Sequence, residues 1–159
     1  MKITIIAVGK IKEKFYRDAI EEFEKRLSRY CKLEIAQVED ERTPDKIGTS
    51  SDEAVRRKEA ERILKYIRED ACVVILDIRG STYDSEEFAQ QIAKLGTQGI
   101  SHIQFVIGGS LGVHEEVCKK ADLTVSFSKM TFPHQLMRVI LLEQIYRAYR
   151  IINGEPYHK

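Results

Sequence analysis

The run Cys72-Val-Val-Ile-Leu-Asp-Ile78 constrains the fold more than any other part of this sequence. It is almost wholly apolar, as expected of a central strand in a parallel sheet covered on both faces. Its neighbours alternate in type. Residues 2–8 read as a buried strand, and residues 13–30 set Phe15, Ala19, Ile20, Phe23, Leu27 and Tyr30 on one helical stripe. Lys32–Glu39 alternates as a strand again, and Asp40–Ser51, with Pro44 and Gly48, is the one long loop. Ser50 with Glu53 resembles a capping box opening a helix to about Glu69, with Ala60, Ile63, Leu64 and Ile67 inward.

After the central strand, Asp84 with Glu87 starts a helix whose inward residues are Phe88, Ile92 and Leu95. Residues 102–107 form the next strand, 113–121 a short helix and Leu123–Phe127 a fifth strand. The last helix runs from near Pro133 to about Asn153, where Gly154 stops it and Pro156 forbids resumption. The order βαβαβαβαβα predicts an α/β fold: one domain over residues 1–159, with a mainly parallel sheet and helices on both faces.

Composition narrows the function. With 43% hydrophobic and 32% charged residues the chain reads as an ordinary globular protein. The opening apolar run is too short for a signal segment and nothing later approaches a membrane span, so no membrane partner and a cytoplasmic location are expected. Cys31, Cys72 and Cys118 are widely spaced and form no C-x-x-C, which argues against a disulfide framework or a zinc site. The net charge of +1 makes no global case for nucleic acid. From Phe127 onward, however, five Lys/Arg stand against two acids, so an anionic partner is expected to meet the C-terminal part.

In an open α/β sheet, ligands bind beyond the carboxyl ends of the strands. Three segments leave strands there with unusual content: Asp77-Ile-Arg-Gly-Ser81, Gly108-Gly-Ser-Leu-Gly112 and Phe127-Ser-Lys-Met-Thr-Phe132. Any one alone reads as a tight turn; three in consecutive units point to a shared pocket. The second also fits G-x-S-x-G, the nucleophile elbow, with Ser110 as nucleophile and Asp122, His134 and His158 as later triad partners. Against that reading, the chain is short for the hydrolase fold and no oxyanion segment precedes the loop. G-x-G-x-x-G and G-K-[ST] are missing, and His114-Glu-Glu-Val-Cys118 lacks the second histidine of a zinc helix, so no metal is expected.

The final helix is apolar around nearly its whole circumference, whereas packing on one sheet needs a single stripe. Central burial or a second subunit would each account for it, and a homodimer is favoured. Arg147 has Glu143 four residues earlier as an ion-pair partner. Arg138 has no acid within helical reach, which makes it a candidate anion or substrate contact beside His134. The tail Asn153–Lys159 is expected to fray, yet Tyr157 and His158 offer base stacking and proton transfer.

Several stretches together resemble the ribosomal RNA large-subunit methyltransferase H family, of the SPOUT class. They are Ala7-Val-Gly-Lys-Ile-Lys12, Leu76-Asp-Ile-Arg-Gly80, Phe105-Val-Ile-Gly-Gly109 with Gly112, Pro133-His-Gln-Leu-Met-Arg-Val139, Glu143-Gln-Ile-Tyr-Arg-Ala148 and Pro156-Tyr-His158. The resemblance spans essentially the full chain. It implies a C-terminal trefoil knot, which general connection rules would not predict, and a homodimer binding S-adenosylmethionine in a bent form. It also implies N3-methylation of a pseudouridine in 23S rRNA within the ribosome. Carried onto this sequence, the cofactor pocket would comprise Leu76, Gly108, and the loop Phe127, Ser128, Lys129, Met130, Thr131 and Phe132. The catalytic candidates are Arg138 for an anion or phosphate, His134 and His158 as bases, and Tyr157 for stacking. A serine hydrolase using Ser110 and a non-catalytic RNA-binding dimer are the alternatives.

Overall fold

The computed structural model describes residues 1–42 and 50–159. Its framework is a five-stranded sheet in the order β2-β1-β4-β3-β5, formed by β1 (Lys2–Val8), β2 (Lys32–Val38), β3 (Cys72–Thr82), β4 (His102–Ile107) and β5 (Leu123–Ser126). Every pairing is parallel. The helices are α1 (Lys14–Leu27), α2 (Ser50–Leu64), α3 (Ser85–Thr97), α4 (Glu115–Cys118) and α5 (His134–Ile152).

Both sheet faces are covered, as the apolar character of the central strands demands. On one face Ile3, Ile5, Val74, Ile103 and Phe105 meet Leu27 of α1, Phe88 and Ile92 of α3, and Leu141, Leu142 and Ile145 of α5. On the other, Ile6, Val8, Val73, Ile75 and Val106 meet Ala60 and Ile63 of α2 and Val117 of α4. Helix α5 contacts both α1 and α3 and lies over the first face. Its inner side is buried, while Leu136, Met137, Val139, Ile140 and Tyr146 remain half-buried and Ile152 is exposed.

Several expectations are corrected. Phe15 is 64% exposed rather than inward, its ring lying 4.3 Å from that of Tyr16 in the first turn of α1. Helix α2 ends at Leu64 instead of about Glu69, and the short helix before β5 is limited to Glu115–Cys118. Ser50 is the first residue of α2, and Glu53 pairs with Arg57 at 3.5 Å. Most of the Asp40–Ser51 loop lies outside the described residues. The Asp84 cap of α3 is as expected: it accepts from Glu87 N, and Glu87 returns the bond to Asp84 N at 2.8 Å.

The chief departure is in β3, which continues to Thr82. Leu76 and Ser81 both pair with Val125 of β5, so residues 77–80 leave the ladder and return to the same partner. Gly80 makes this possible: a Cβ there would lie 2.6 Å from the Thr124 carbonyl carbon. The Asp77 carboxylate fixes the excursion by accepting from Arg79 N at 2.8 Å and from its guanidinium.

Candidate active site

The carboxyl ends of β3, β4 and β5 open onto one cavity of about 670 Å³, within the size range of small-molecule sites. Its walls come from the three segments singled out in the sequence: Leu76–Ile78, Ile107–Val113, and Val125–Ser128 with Met130–His134 and Met137. Leu76, Gly108, Phe127, Ser128, Met130, Thr131 and Phe132 all line it, whereas Lys129 does not.

Backbone shapes much of this cavity. A Cβ on Gly108 would lie 2.8 Å from Val113 Cγ2 and 2.9 Å from the Gly112 carbonyl carbon, so only glycine fits. Gly112 closes the turn by donating to Gly109 O at 3.1 Å, with a φ of +84° that favours glycine. The following loop is shaped by hydroxyls: Ser126 Oγ donates to Ser128 O at 3.0 Å, and Met130 N donates to Ser128 Oγ at 2.9 Å.

His134, the first residue of α5, stands in the cavity wall. Its Nε2 lies 3.0 Å from where a Cβ of Gly9 would be, on a turn with φ of +92°. Burial holds its pKa below the ordinary imidazole value, and the nearby charge of Arg138 lowers it further. Arg138 itself faces inward and is 2% exposed. Nη2 donates to Gly9 O at 3.0 Å and Nη1 to Gln37 Oε1 at 3.2 Å, while Nε has no hydrogen-bond partner among the described residues. Burial lowers its pKa, and among the described residues no carboxylate counters the charge directly. The arginine that lacks a local partner is thus a buried clamp between α5, β1 and β2.

Tyr157 and His158 stand apart from this cavity. The tail is docked, not frayed. Tyr157 Oη donates to Glu143 Oε1 at 3.1 Å, and the Arg147 guanidinium lies 4.7 Å over its ring. Arg147 donates to the same carboxylate and to His158 Nδ1 at 3.3 Å. That acceptor role puts the proton of a neutral His158 on Nε2, which faces Glu86 at 3.8 Å. Arg150 pairs with Glu155 and donates to Pro156 O at 2.9 Å. His158 lines a second cavity of about 590 Å³ with Tyr83, Phe88 and Gln144, and Phe127 is the wall common to both cavities.

One buried acid escaped the sequence reading. Glu59 is 4% exposed, and its carboxylate lies 2.8 Å from where a Cβ of Gly109 would be. It accepts from Glu41 N at 3.1 Å, and burial raises its pKa. Its signal was an acid one turn before Ile63 on the inward stripe of α2.

The geometry disfavours the elbow. Asp122 accepts from Val73 N at 2.8 Å, at the amino ends of the strands and across the sheet from Ser110. Of the two histidines, His158 is bound to Arg147 away from this cavity, whereas His134 shares the cavity wall with Ser110, so the acid Asp122 and His158 are the parts of the triad that the fold does not bring together.

Residues 1–158 match the family model described as predicted SPOUT methyltransferase. The ribosomal RNA large subunit methyltransferases H of Bifidobacterium adolescentis and Clostridium kluyveri are 60% and 57% identical to this chain, each alignment covering 100% of both proteins. The chain belongs to the ribosomal RNA large subunit methyltransferase H family of the SPOUT class. Among solved structures, a probable methylase family protein from Haemophilus influenzae Rd KW20 shares the fold, with a TM-score of 0.54 and 15% identity over 99% of this chain and 70% of that one.

SPOUT methyltransferases use S-adenosylmethionine. The cavity of this family member fits such a group in two respects. Its volume suits a ligand of that size, and Gly108, Gly109 and Gly112 line it with backbone that carries no side chain. Among the described residues, no helix is long and apolar enough to cross a membrane.

Proposed function

We propose that this methyltransferase modifies N3 of a pseudouridine in 23S rRNA of the large ribosomal subunit, acting as a homodimer with a knotted C-terminal segment. The reading rests chiefly on the convergence of three strand-end segments around one cavity with His134 in its wall. The full-length similarity to large-subunit methyltransferases H supports the substrate.

When bound, the cofactor supplies a methyl group already activated by a positively charged sulfur, so transfer needs positioning more than activation. Leu76, the Gly108–Gly112 turn and the loop from Phe127 through Phe132 would hold and orient it. Phe127, Phe132 and Leu76 would surround it with apolar walls. N3 of the base would bond to the methyl carbon as the carbon–sulfur bond breaks, its electron pair staying on sulfur, and the N3 proton must leave. His134, kept neutral by burial and by Arg138, accepts that proton. The positive charge of Arg138 also favours the anionic character that develops on the imide. No metal is required by this displacement.

Tyr157 and His158 complete the site from the second subunit in this reading. Support comes from the docked tail, which carries a stacking ring and an imidazole but does not line its own chain's cofactor cavity. The half-buried apolar side of α5 provides an interface for the dimer. For the knot, the support is the excursion of residues 77–80 around Val125 and the contact of Gly80 with the Thr124 backbone. Such crowding is what a chain threaded through a tight loop requires.

Titration of the purified protein with S-adenosylmethionine tests the reading first. Saturable binding that weakens in Gly108→Val is expected; no binding, even with large subunits present, would overturn it.

A further inference from the structure

The turn between β1 and α1 carries cations for which the site described above has found no use. Gly9 starts the turn with a φ of +92°, and Lys10, Ile11, Lys12 and Glu13 complete it before α1. Its backbone is held at several points. Arg138 donates to Gly9 O at 3.0 Å, and Lys12 N donates to Gln135 Oε1 at 2.9 Å. From α1, Arg17 donates to Ile11 O at 3.2 Å and to Lys12 O at 2.8 Å. The turn is therefore pinned to the first turn of α5, beside His134.

With the backbone so fixed, the Lys10 and Lys12 side chains are exposed. Nearby Lys14 is neutralised by Asp18 at 2.7 Å, but neither Lys10 nor Lys12 has an ion-pair partner among the described residues. Arg17 spends its hydrogen bonds on carbonyls and keeps its charge. Among the described residues, Glu13 lies within the turn and Asp40 acts on the neighbouring His134, both acids being exposed. The local balance is thus basic, in the amino-terminal part of a chain whose net charge is only +1.

We propose that Lys10 and Lys12 form the RNA-phosphate subsite that seats the target nucleotide against His134. The inference rests on the RNA-methylating reading above. A base brought to His134 carries its own phosphates within one nucleotide's length, and these two lysines are the unpaired cations on the adjoining turn. Phosphate contacts position a nucleic acid without reading its sequence, and a rigid turn is suited to that task.

The test is methyl transfer to large ribosomal subunits at varied subunit and salt concentrations. The variants are Lys10→Gln/Lys12→Gln and, as a charge-matched control at the amino ends of the strands, Lys65→Gln/Lys94→Gln. The first should raise KM for subunits about tenfold, leave kcat within about twofold and reduce the salt slope by about two. Its affinity for S-adenosylmethionine should be unchanged, and the control should behave as wild type. Wild-type KM and salt slope in Lys10→Gln/Lys12→Gln would overturn the inference alone. So would a loss confined to kcat or to cofactor affinity. If the wild-type protein transfers no methyl group to RNA, the RNA reading falls and this inference with it.

Discussion

Arg138 donates through Nη2 to the carbonyl of Gly9 at 3.0 Å, joining the start of α5 to the end of β1. This bond makes a buried guanidinium part of the wall behind His134, with neutral acceptors only.

A charge in that position is costly to bury, so the fold alone gives little reason to keep it. Arg138→Met should remain within about 1 kcal/mol of wild type in denaturant unfolding, because lost hydrogen bonds and relieved desolvation offset each other. Methyl transfer should fall on the order of 100-fold, with cofactor affinity little changed. A variant that unfolds, or one with full activity, would assign Arg138 a purely architectural role.

The lowered pKa of His134 fixes the sign of the pH dependence. Single-turnover rates should fall as pH drops through a value below about 6.5, the unperturbed imidazole value. In Arg138→Met that acidic limb should move up, since a repelling charge is gone. Stability follows the same sign. The unfolded state binds the proton more readily, so the contribution of His134 is complete above the unfolded value and is lost as pH falls through the folded one. The urea midpoint should therefore drop from about pH 7.5 to about pH 5.5 by more in wild type than in His134→Asn. An identical drop in both would contradict the assignment.

Gly80 and Gly96 should respond oppositely to an added side chain. In Gly80→Val the new Cβ would meet Thr124 backbone at 2.6 Å, which cannot yield like a side-chain tip. A loss of about 1–3 kcal/mol or more, with weaker cofactor binding, is expected from thermal unfolding and titration. Gly96 lies in α3, and a Cβ there would meet only Met1 Cε at an ordinary 3.7 Å. Gly96→Ala should be stabilising by about 0.5–1 kcal/mol.

The docked tail predicts a complementation result. Chains truncated after Pro156 should fold and bind cofactor but not transfer methyl groups. Mixtures of truncated and His134→Ala chains should regain activity if the tail acts across the proposed dimer, because one site then has every part. Continued inactivity of the mixture would place the tail's action within its own chain.

The sheet was legible because its strands are apolar runs with few competing readings. The pocket was legible because glycine and hydroxyl residues gathered at successive strand ends. The extension of β3 was hidden, since Arg79-Gly-Ser-Thr82 pairs through backbone and buries little side chain. Phe15 misled because helical spacing gives its face but not whether that turn reaches the sheet. The acceptors of Arg138 lie 101 and 129 positions away, beyond any local pattern. The tail is ordered by Glu143, Arg147 and Arg150 acting on residues that, read alone, are polar and flexible.

The most direct test of the central claim is nucleoside analysis of rRNA after incubation of the protein with methyl-labelled S-adenosylmethionine and large ribosomal subunits. Label is expected in 23S rRNA, on N3 of a pseudouridine, and is lost in His134→Ala. Cofactor binding without any label in that RNA, or label on a different nucleoside, would contradict it.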